Sequence, residues 1–291
     1  MRPLATLLAL LAALATSGCS SILLGVANGA DLANGAYRRE AEVRYGPGER
    51  ATLDVYRPSE GGAPVRGLVV FVHGGRWSYG DKRQYRFVAA GLAARGFVVM
   101  VPNYRLYPAV RMAEAAADVA SAVAFAEKTA ARYGADPASL VMMGHSAGAH
   151  LAALVTYDPA WLRAAGATPP RAFAGFAGPY DFLPLKDADL IDYFGPPAHY
   201  PTTQPVNFVD AASAPAFIVQ GLADTTVALK NSRSLAAHLE AAGVHADLHL
   251  MPAEDHGGVL KRFARFYRGH DPLYEALIEF LAAPPVHAAA G

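Results

Sequence analysis

Residues 141–150 read VMMGHSAGAH, and this stretch decides which fold the sequence favours. An apolar run of strand length leads into Ser146 and a helix-like segment follows it, so the serine lies at a strand-to-helix turn. Gly144 and Gly148 flank the serine because a Cβ at either position would collide with the neighbouring strand or helix. Such a sharp turn strains the serine backbone and exposes the hydroxyl. We therefore predict that Ser146 is a nucleophile.

Outward from this turn, apolar runs of strand length alternate with segments of helical periodicity. Strands are predicted at residues 67–75, 97–104, 139–146, 171–178, 216–221 and 245–252, after an antiparallel pair at 41–46 and 51–58. Helices are predicted at 84–96, at 112–133, from 147 onward, around 235–239 and at 271–282. The Pro-rich residues 179–215 are predicted to be irregular. This alternation predicts an α/β fold with a mostly parallel central sheet and helices on both faces.

The composition is that of an ordinary globular protein with no preference for polyanions. Hydrophobic residues make up 53% of the 291 residues, and 25 basic side chains balance 25 acidic ones. This excludes a disordered chain, and the balanced, scattered charges argue against nucleic acid as a partner. A small-molecule substrate is therefore expected. No motif for zinc or for a dinucleotide is present, so no cofactor is predicted.

The N-terminus is predicted to be a targeting segment. Arg2 precedes an apolar run over residues 4–15, which is too short to span a bilayer but has the length of a signal-peptide core. The single cysteine, Cys19, follows in TSGCSS. This segment resembles the lipidation site of bacterial lipoproteins at Gly18 and departs from it at Thr16, where a leucine is usual. We predict that Cys19 is lipidated; a plain secretory signal with a free thiol is the alternative.

These features divide the chain into three parts. Residues 1–18 are predicted to be a signal peptide, 19–36 a flexible tether, and 37–291 one catalytic domain. A lipid at Cys19 would attach the protein to a membrane. By resemblance to other bacterial lipoproteins, Ser20 indicates the outer membrane, with the domain facing the periplasm; a periplasmic or secreted protein is the alternative.

A second glycine-containing segment, His73 to Trp77 in FVHGGRW, comes after the buried strand residues LVVF (68–71). Consecutive glycines let the chain pass close to the nucleophile, so that the backbone N–H groups of Gly75 and Arg76 point to where an oxyanion forms. The N–H of Ala147 is the third predicted donor. His73 and Gly74 are predicted to support this loop. An ordinary Gly-Gly turn is the alternative for this segment.

The base and the acid are expected later in the chain, in the order serine, acid, histidine. Asp224 and His256 each follow a predicted strand, and ligands bind at the carboxyl ends of the strands in such a sheet. His256 would take the serine proton, and Asp224 would orient the imidazole. Asp255 and Asp181 are the alternative acids. Asp255 adjoins the histidine too closely to reach its ring, and Asp181 is interpreted as fixing a loop.

The other histidines receive structural interpretations. His145 and His150 flank the serine and are predicted to pack or to form local hydrogen bonds. His245, Asp247 and His249 share one face of a predicted strand. They lack a fourth ligand, so a solvated face is favoured over a metal site, and no metal is predicted.

Six motifs, in order along the chain, resemble one known family. They are HGGRW (73–77), VPNYRLYP (101–108), GHSAGAHLA (144–152), AGPYD (177–181), GLADTTV (221–227) and DHGG (255–258). Together they resemble the α/β-hydrolase fold, in the hormone-sensitive-lipase-like carboxylesterase branch that includes bacterial feruloyl and acetyl esterases and the arylformamidases. The resemblance implies a catalytic triad of Ser146, Asp224 and His256, with residues 73–76 and Ala147 as the oxyanion hole.

Two positions depart from the family pattern. Arg76 stands where a third glycine is frequent, which keeps backbone donation possible and brings a cation near the site. Gly257 stands where arylformamidases usually have an aromatic residue. The expected function is a serine carboxylesterase that hydrolyses short-chain or aromatic esters through an acyl-enzyme. An arylformamidase or amidase with the same machinery is the alternative, and an inactive binding protein is a third class.

Overall fold

A computed structural model of the protein describes residues 36–265, 267–268 and 271–285. Its centre is an eight-stranded sheet whose strands are β1 (Tyr37–Arg44), β2 (Thr52–Pro58), β3 (Gly67–Val72), β4 (Phe97–Pro102), β5 (Val141–His145), β6 (Ala172–Phe176), β7 (Ala216–Gly221) and β8 (Ala246–Met251). The strand order is β1-β2-β4-β3-β5-β6-β7-β8. Strand β2 pairs antiparallel with β1 and β4, and all later pairs are parallel. The predicted mostly parallel sheet is confirmed.

Helices cover both faces of this sheet. They are α1 (Arg86–Ala93), α2 (Met112–Thr129), α3 (Ala147–Tyr157), α4 (Pro159–Ala165), α5 (Ala188–Phe194), α6 (Lys230–Ala241) and α7 (Pro272–Ala282). Alternate residues of β3 enter opposite cores: Val70 belongs to the core that includes residues of α2, α3 and α6, whereas Phe71 belongs to the core that includes residues of α1 and α7. The central strands are apolar on both faces for this reason. The continuous apolar runs in the sequence predict this two-sided burial.

Two regions differ from the sequence-based prediction. Residues 179–215, predicted to be irregular, contain α5 and the 3-10 segments Pro197–Thr203 and Pro205–Phe208. Helix α4 was not predicted, although its ends carry ordinary signals. The Asp158 side chain accepts from the helix N-terminus, and Gly166 ends the helix with φ 73°. A helix of two turns has too little periodicity to be recognised, so only its caps indicate it.

The first strand is longer than predicted. It begins at Tyr37 rather than at residue 41, and its pairing with β2 shifts between Glu40 and Val43. Glu42 lies within this bulge with φ 56°. A bulge interrupts the alternation of apolar and polar side chains, which is why the pattern did not reveal the N-terminal half of the strand.

The predictions for the signal peptide, Cys19 and the tether as far as residue 35 lie outside the described residues. None of the helices among the described residues has the length and hydropathy needed to cross a bilayer.

Candidate active site

Ser146 occupies the turn between β5 and α3 with φ 55° and ψ −127°, a conformation that side-chain-bearing residues rarely adopt. A Cβ on Gly144 would lie 2.6 Å from the carbonyl oxygen of Gly148, and a Cβ on Gly148 would lie 2.2 Å from that of Val72. The close approach of helix and strands that the two glycines predicted is confirmed. The Ser146 N–H donates to the Phe176 carbonyl at 2.9 Å, which ties the turn to the next strand.

Three side chains from separate loops meet at this turn. The Oγ atom of Ser146 lies 2.8 Å from Nε2 of His256, and Nδ1 of His256 lies 2.9 Å from Oδ2 of Asp224. A carboxylate can only accept, so the imidazole carries its proton on Nδ1 and leaves Nε2 to accept from the serine hydroxyl. This arrangement can draw a proton from Ser146 as the oxygen attacks a carbonyl carbon.

Asp224 is held as a buried carboxylate. Its Oδ1 accepts the backbone N–H groups of Thr226 at 2.8 Å and Val227 at 2.9 Å. Its Oδ2 accepts from Nε2 of Gln220 at 2.9 Å as well as from His256. Burial opposes the charge, but the hydrogen bond from His256 and the backbone donors outweigh it, so that the pKa of Asp224 lies below its usual value.

Residues 73–77, the glycine loop, have an unusual backbone. Gly75, Arg76 and Trp77 all have positive φ, at 129°, 49° and 60°. A Cβ on Gly75 would lie 2.0 Å from the Tyr79 carbonyl oxygen, so only glycine fits there. Among the described residues, no protein acceptor receives the N–H of Gly75, Arg76 or Ala147. Strain and unused donors thus occur together in the segments that the sequence predicts as the oxyanion hole.

His73 lies beneath the glycine loop as a neutral, buried ring. Its Nδ1 lies 2.8 Å from the Gly74 carbonyl oxygen, and the ring stacks on Tyr104 with centroids 4.5 Å apart. The Tyr104 hydroxyl also donates to the His73 carbonyl at 3.1 Å. Burial lowers the pKa of His73 to about 4, so the ring is uncharged at neutral pH. These contacts fit the predicted supporting position of His73.

His145 and His150 do not form the local hydrogen bonds that the sequence suggested. Nε2 of His145 lies 2.9 Å from the carbonyl oxygen of His256, far along the chain. Nδ1 of His150 accepts from the Trp77 indole at 3.3 Å, and its Nε2 lies 2.8 Å from the Thr203 carbonyl oxygen. Both rings are buried and packed against aromatic side chains, which agrees with the first part of the prediction. The alternative of local hydrogen bonds is wrong, because the partners come from distant loops.

The two alternative acids have other partners. Oδ2 of Asp181 accepts from the Ser234 hydroxyl at 2.8 Å. Oδ1 of Asp255 accepts from the Gly258 N–H at 2.7 Å, within its own turn. The carboxylate at His256 is that of Asp224.

The strand face with two histidines forms a polar contact and a ring contact. Nε2 of His245 lies 3.0 Å from Oδ1 of Asp247, and the His249 ring packs 4.3 Å from the Phe217 centroid. Within the part of the chain that the structure describes, no three His, Cys, Asp or Glu side chains are arranged to hold a metal ion.

Sequence reasoning missed the contacts that close the site from the side of α5. Trp77 packs against Tyr193 with centroids 5.6 Å apart and against Phe194 at 5.1 Å. The Arg76 guanidinium pairs with Asp187 at 3.1 Å. The aromatic-rich composition of residues 180–194 was the available signal, but which ring meets which is decided by tertiary packing.

Comparisons with known proteins find esterases among the similar proteins. The BD-FAE family model matches residues 53–166, which contain the glycine loop and the serine turn. A probable isoprenylcysteine alpha-carbonyl methylesterase of Oryza sativa subsp. japonica is 27% identical over 83% of this chain. Esterase LipQ of Mycobacterium tuberculosis is 30% identical over 72% of it. This chain has the α/β-hydrolase fold, and it is similar to esterases of the hormone-sensitive-lipase-like branch.

Solved structures of this fold superpose along most of the hydrolase. A truncated carbohydrate esterase from gut microbiota has a TM-score of 0.74 at 23% identity, covering 86% of this chain and 97% of that one. Esterase 2 of Thermogutta terrifontis has a TM-score of 0.67 at 27% identity, covering 84% and 92%. This chain spans 63% of the length of the Oryza sativa methylesterase and 55% of the length of LipQ.

Proposed function

We propose that this hydrolase is a serine carboxylesterase that cleaves short-chain or aromatic carboxylic esters through an acyl-enzyme. The observation that carries the proposal is the continuous Ser146–His256–Asp224 hydrogen bonding at a strained turn, with unused backbone donors in the glycine loop and at Ala147. The esterase names of the relatives support the same reaction class.

In the acylation step, the Ser146 oxygen attacks the ester carbonyl carbon while Nε2 of His256 takes the serine proton. The carbonyl oxygen becomes an oxyanion that the N–H groups of Gly75, Arg76 and Ala147 stabilise. Asp224 stabilises the imidazolium that forms. When the oxyanion collapses, the bond to the alcohol breaks, and His256 returns its proton to the leaving oxygen.

In the deacylation step, water takes the place of the alcohol. His256 removes a proton from the water as it attacks the acyl carbon, and the same backbone donors stabilise the second oxyanion. Collapse releases the carboxylic acid and returns the proton to Ser146. Each step balances without a cofactor because proton transfer and charge stabilisation suffice for ester hydrolysis.

The closed α5 side supports a small acyl group. Trp77, Tyr193 and Phe194 are each 6% exposed or less, since they pack on one another. Apolar surface that is already buried in this way offers little to a long acyl chain. We therefore expect esters of short acids to be preferred over long ones.

The test is a substrate panel on the purified hydrolase. It compares p-nitrophenyl esters of increasing acyl length with feruloyl esters and aryl formamides, and kcat/KM is measured for each. We expect a maximum at short or aromatic esters. A larger kcat/KM for aryl formamides than for every ester would favour the amidase alternative, and no turnover of any ester would contradict the proposal.

Two substitutions of Arg76 distinguish the effect of its backbone N–H on kcat from the effect of its side chain. Arg76→Pro removes the N–H and forces φ to about −65° where 49° is needed, so we expect kcat to fall about 100- to 1,000-fold. Arg76→Gly keeps the N–H and accepts positive φ, and should retain kcat within about threefold. Steady-state kinetics measure both. An equal loss in both variants would mean that the guanidinium, not the N–H, matters.

We further propose that the hydrolase is exported and anchored by a lipid on Cys19, in the outer membrane and facing the periplasm. An apolar run behind Arg2 supports export, and the lone cysteine stands directly after it. More than one acyl chain is needed for stable attachment, at about 0.8 kcal/mol per buried methylene. The length between Cys19 and β1 would let the domain move clear of the membrane.

For this anchor we predict that the native protein sediments with membranes, whereas Cys19→Ala appears in the soluble periplasmic fraction. Fractionation followed by immunoblotting measures the distribution, and Ser20→Ala serves as a matched control that should stay with the membranes. Equal amounts of native protein and Cys19→Ala in the soluble fraction would support the plain secretory alternative.

A further inference from the structure

Two buried side chains, Tyr85 and His145, connect the glycine loop with the loop that carries His256. The N–H of Gly74 donates to the Tyr85 hydroxyl at 3.1 Å, and that oxygen lies 3.1 Å from Nδ1 of His145. Beyond the ring, Nε2 of His145 lies 2.9 Å from the His256 carbonyl oxygen. A continuous series of three hydrogen bonds, the buried link, joins the two loops.

The chemistry of its two ends fixes the direction of every bond in the buried link. A peptide N–H only donates, so the Tyr85 oxygen accepts from Gly74, and its own hydrogen is directed to Nδ1 of His145. A peptide carbonyl only accepts, so Nε2 of His145 carries the hydrogen that bonds to His256. The ring is thereby neutral, and burial, which lowers the pKa of His145 to about 3, favours the same state.

The packing around Gly74 leaves space for the buried link. Gly74 has no positive φ, so its backbone conformation does not require glycine. A Cβ there would lie 2.9 Å from the Tyr85 hydroxyl and 3.1 Å from Nδ1 of His145. The missing side chain provides the space in which the tyrosine and the histidine meet. Both are almost fully buried, at 5% and 6% exposure, so water does not compete freely for these bonds.

We propose that Tyr85 and His145 are positioning residues that hold the glycine loop and the His256 loop in register; the inference rests on the proposed esterase function. Neither side chain touches the reacting atoms. Ser146 and Asp224 hold the His256 ring, while the buried link holds its backbone. A misplacement of about 1 Å between base and oxyanion donors can cost about 100-fold in rate.

Tyr85→Phe is the first test because it removes one oxygen and leaves the ring against Phe71, at 5.3 Å between centroids. We expect kcat to fall about 10- to 100-fold with KM changed less than about twofold. Tyr274→Phe is the matched control, since its hydroxyl is also buried and hydrogen-bonded: it donates to the carbonyl oxygen of Gly91 at 2.9 Å. The control should keep the wild-type kcat.

Variants at His145 test whether the link acts as a unit. His145→Phe removes both bonds, and we expect it to lower kcat about as much as Tyr85→Phe. The double variant should lose little more than either single variant, because one link is broken in each case. His145→Gln restores an acceptor and a donor, and its kcat should be at least about five times that of His145→Phe.

The tautomer gives a readout that requires no turnover. Nitrogen-15 NMR of Ser146→Ala protein should show His145 protonated on Nε2 and unprotonated on Nδ1 at neutral pH. A proton on Nδ1, or equal kcat values for Tyr85→Phe and Tyr274→Phe, would overturn the inference. If wild-type protein hydrolyses no ester, the proposed function fails instead. Should His145→Phe not fold, the two tyrosine variants still decide.

Discussion

Ser146→Ala is expected to abolish ester hydrolysis while the protein stays folded. The substitution removes the attacking oxygen, which lies 2.8 Å from Nε2 of His256, and no other part of the site replaces it. Loss of such a nucleophile lowers kcat by about six orders of magnitude. Steady-state assays of highly purified protein with the best ester from the panel measure the loss, and active-site titration guards against a contaminating esterase.

Thermal unfolding distinguishes the loss of the nucleophile from loss of the folded structure. Alanine keeps the Cβ and therefore the backbone strain at φ 55°, so thermal unfolding should occur within a few degrees of wild type. Ser146→Gly relieves the strain and should be equally inactive. Retention of more than about a thousandth of the wild-type kcat in either variant would show that Ser146 is not the nucleophile.

The sequence revealed those parts of the fold and the site that depend on local chemistry. The apolar runs of the central strands predict a sheet buried on both faces, and two-sided burial of β3, β4 and β5 agrees with it. Gly144 and Gly148 predict close approach because a Cβ has a fixed position on its own backbone. Asp224 and His256 could be chosen because parallel strands bring their carboxyl ends to one edge.

The parts that the sequence did not reveal depend on contacts between distant residues. Helix α5 has only seven residues and is held by Tyr193 and Phe194 against Trp77, which no local pattern encodes. His145 finds partners 60 and 111 positions away, so adjacency to Ser146 was misleading. Gln220 was a missed signal, because a buried amide within an otherwise apolar strand requires partners, and Asp224 is one of them.

Asp224→Asn should lower kcat by about four orders of magnitude at neutral pH, with little change in substrate binding. The reason lies in how the asparagine must orient. The N–H groups of Thr226 and Val227 require an oxygen at the Oδ1 position, which places the new amide NH₂ where Oδ2 met His256. That NH₂ donates to Nδ1 of the histidine and moves the imidazole proton to Nε2, where it faces Ser146 and cannot accept.

Asp181→Asn is the matched control for this prediction. Asp181 also follows a strand, but its Oδ2 accepts a hydroxyl hydrogen from Ser234, and an asparagine oxygen can accept the same bond. Its kcat should therefore stay within about threefold of wild type. Kinetics at neutral pH distinguish the two carboxylates directly. A large loss of kcat in Asp181→Asn beside a small loss in Asp224→Asn would show that Asp181 orients His256. The imidazole would then have to leave Asp224, which lies 2.9 Å from its Nδ1, for another partner.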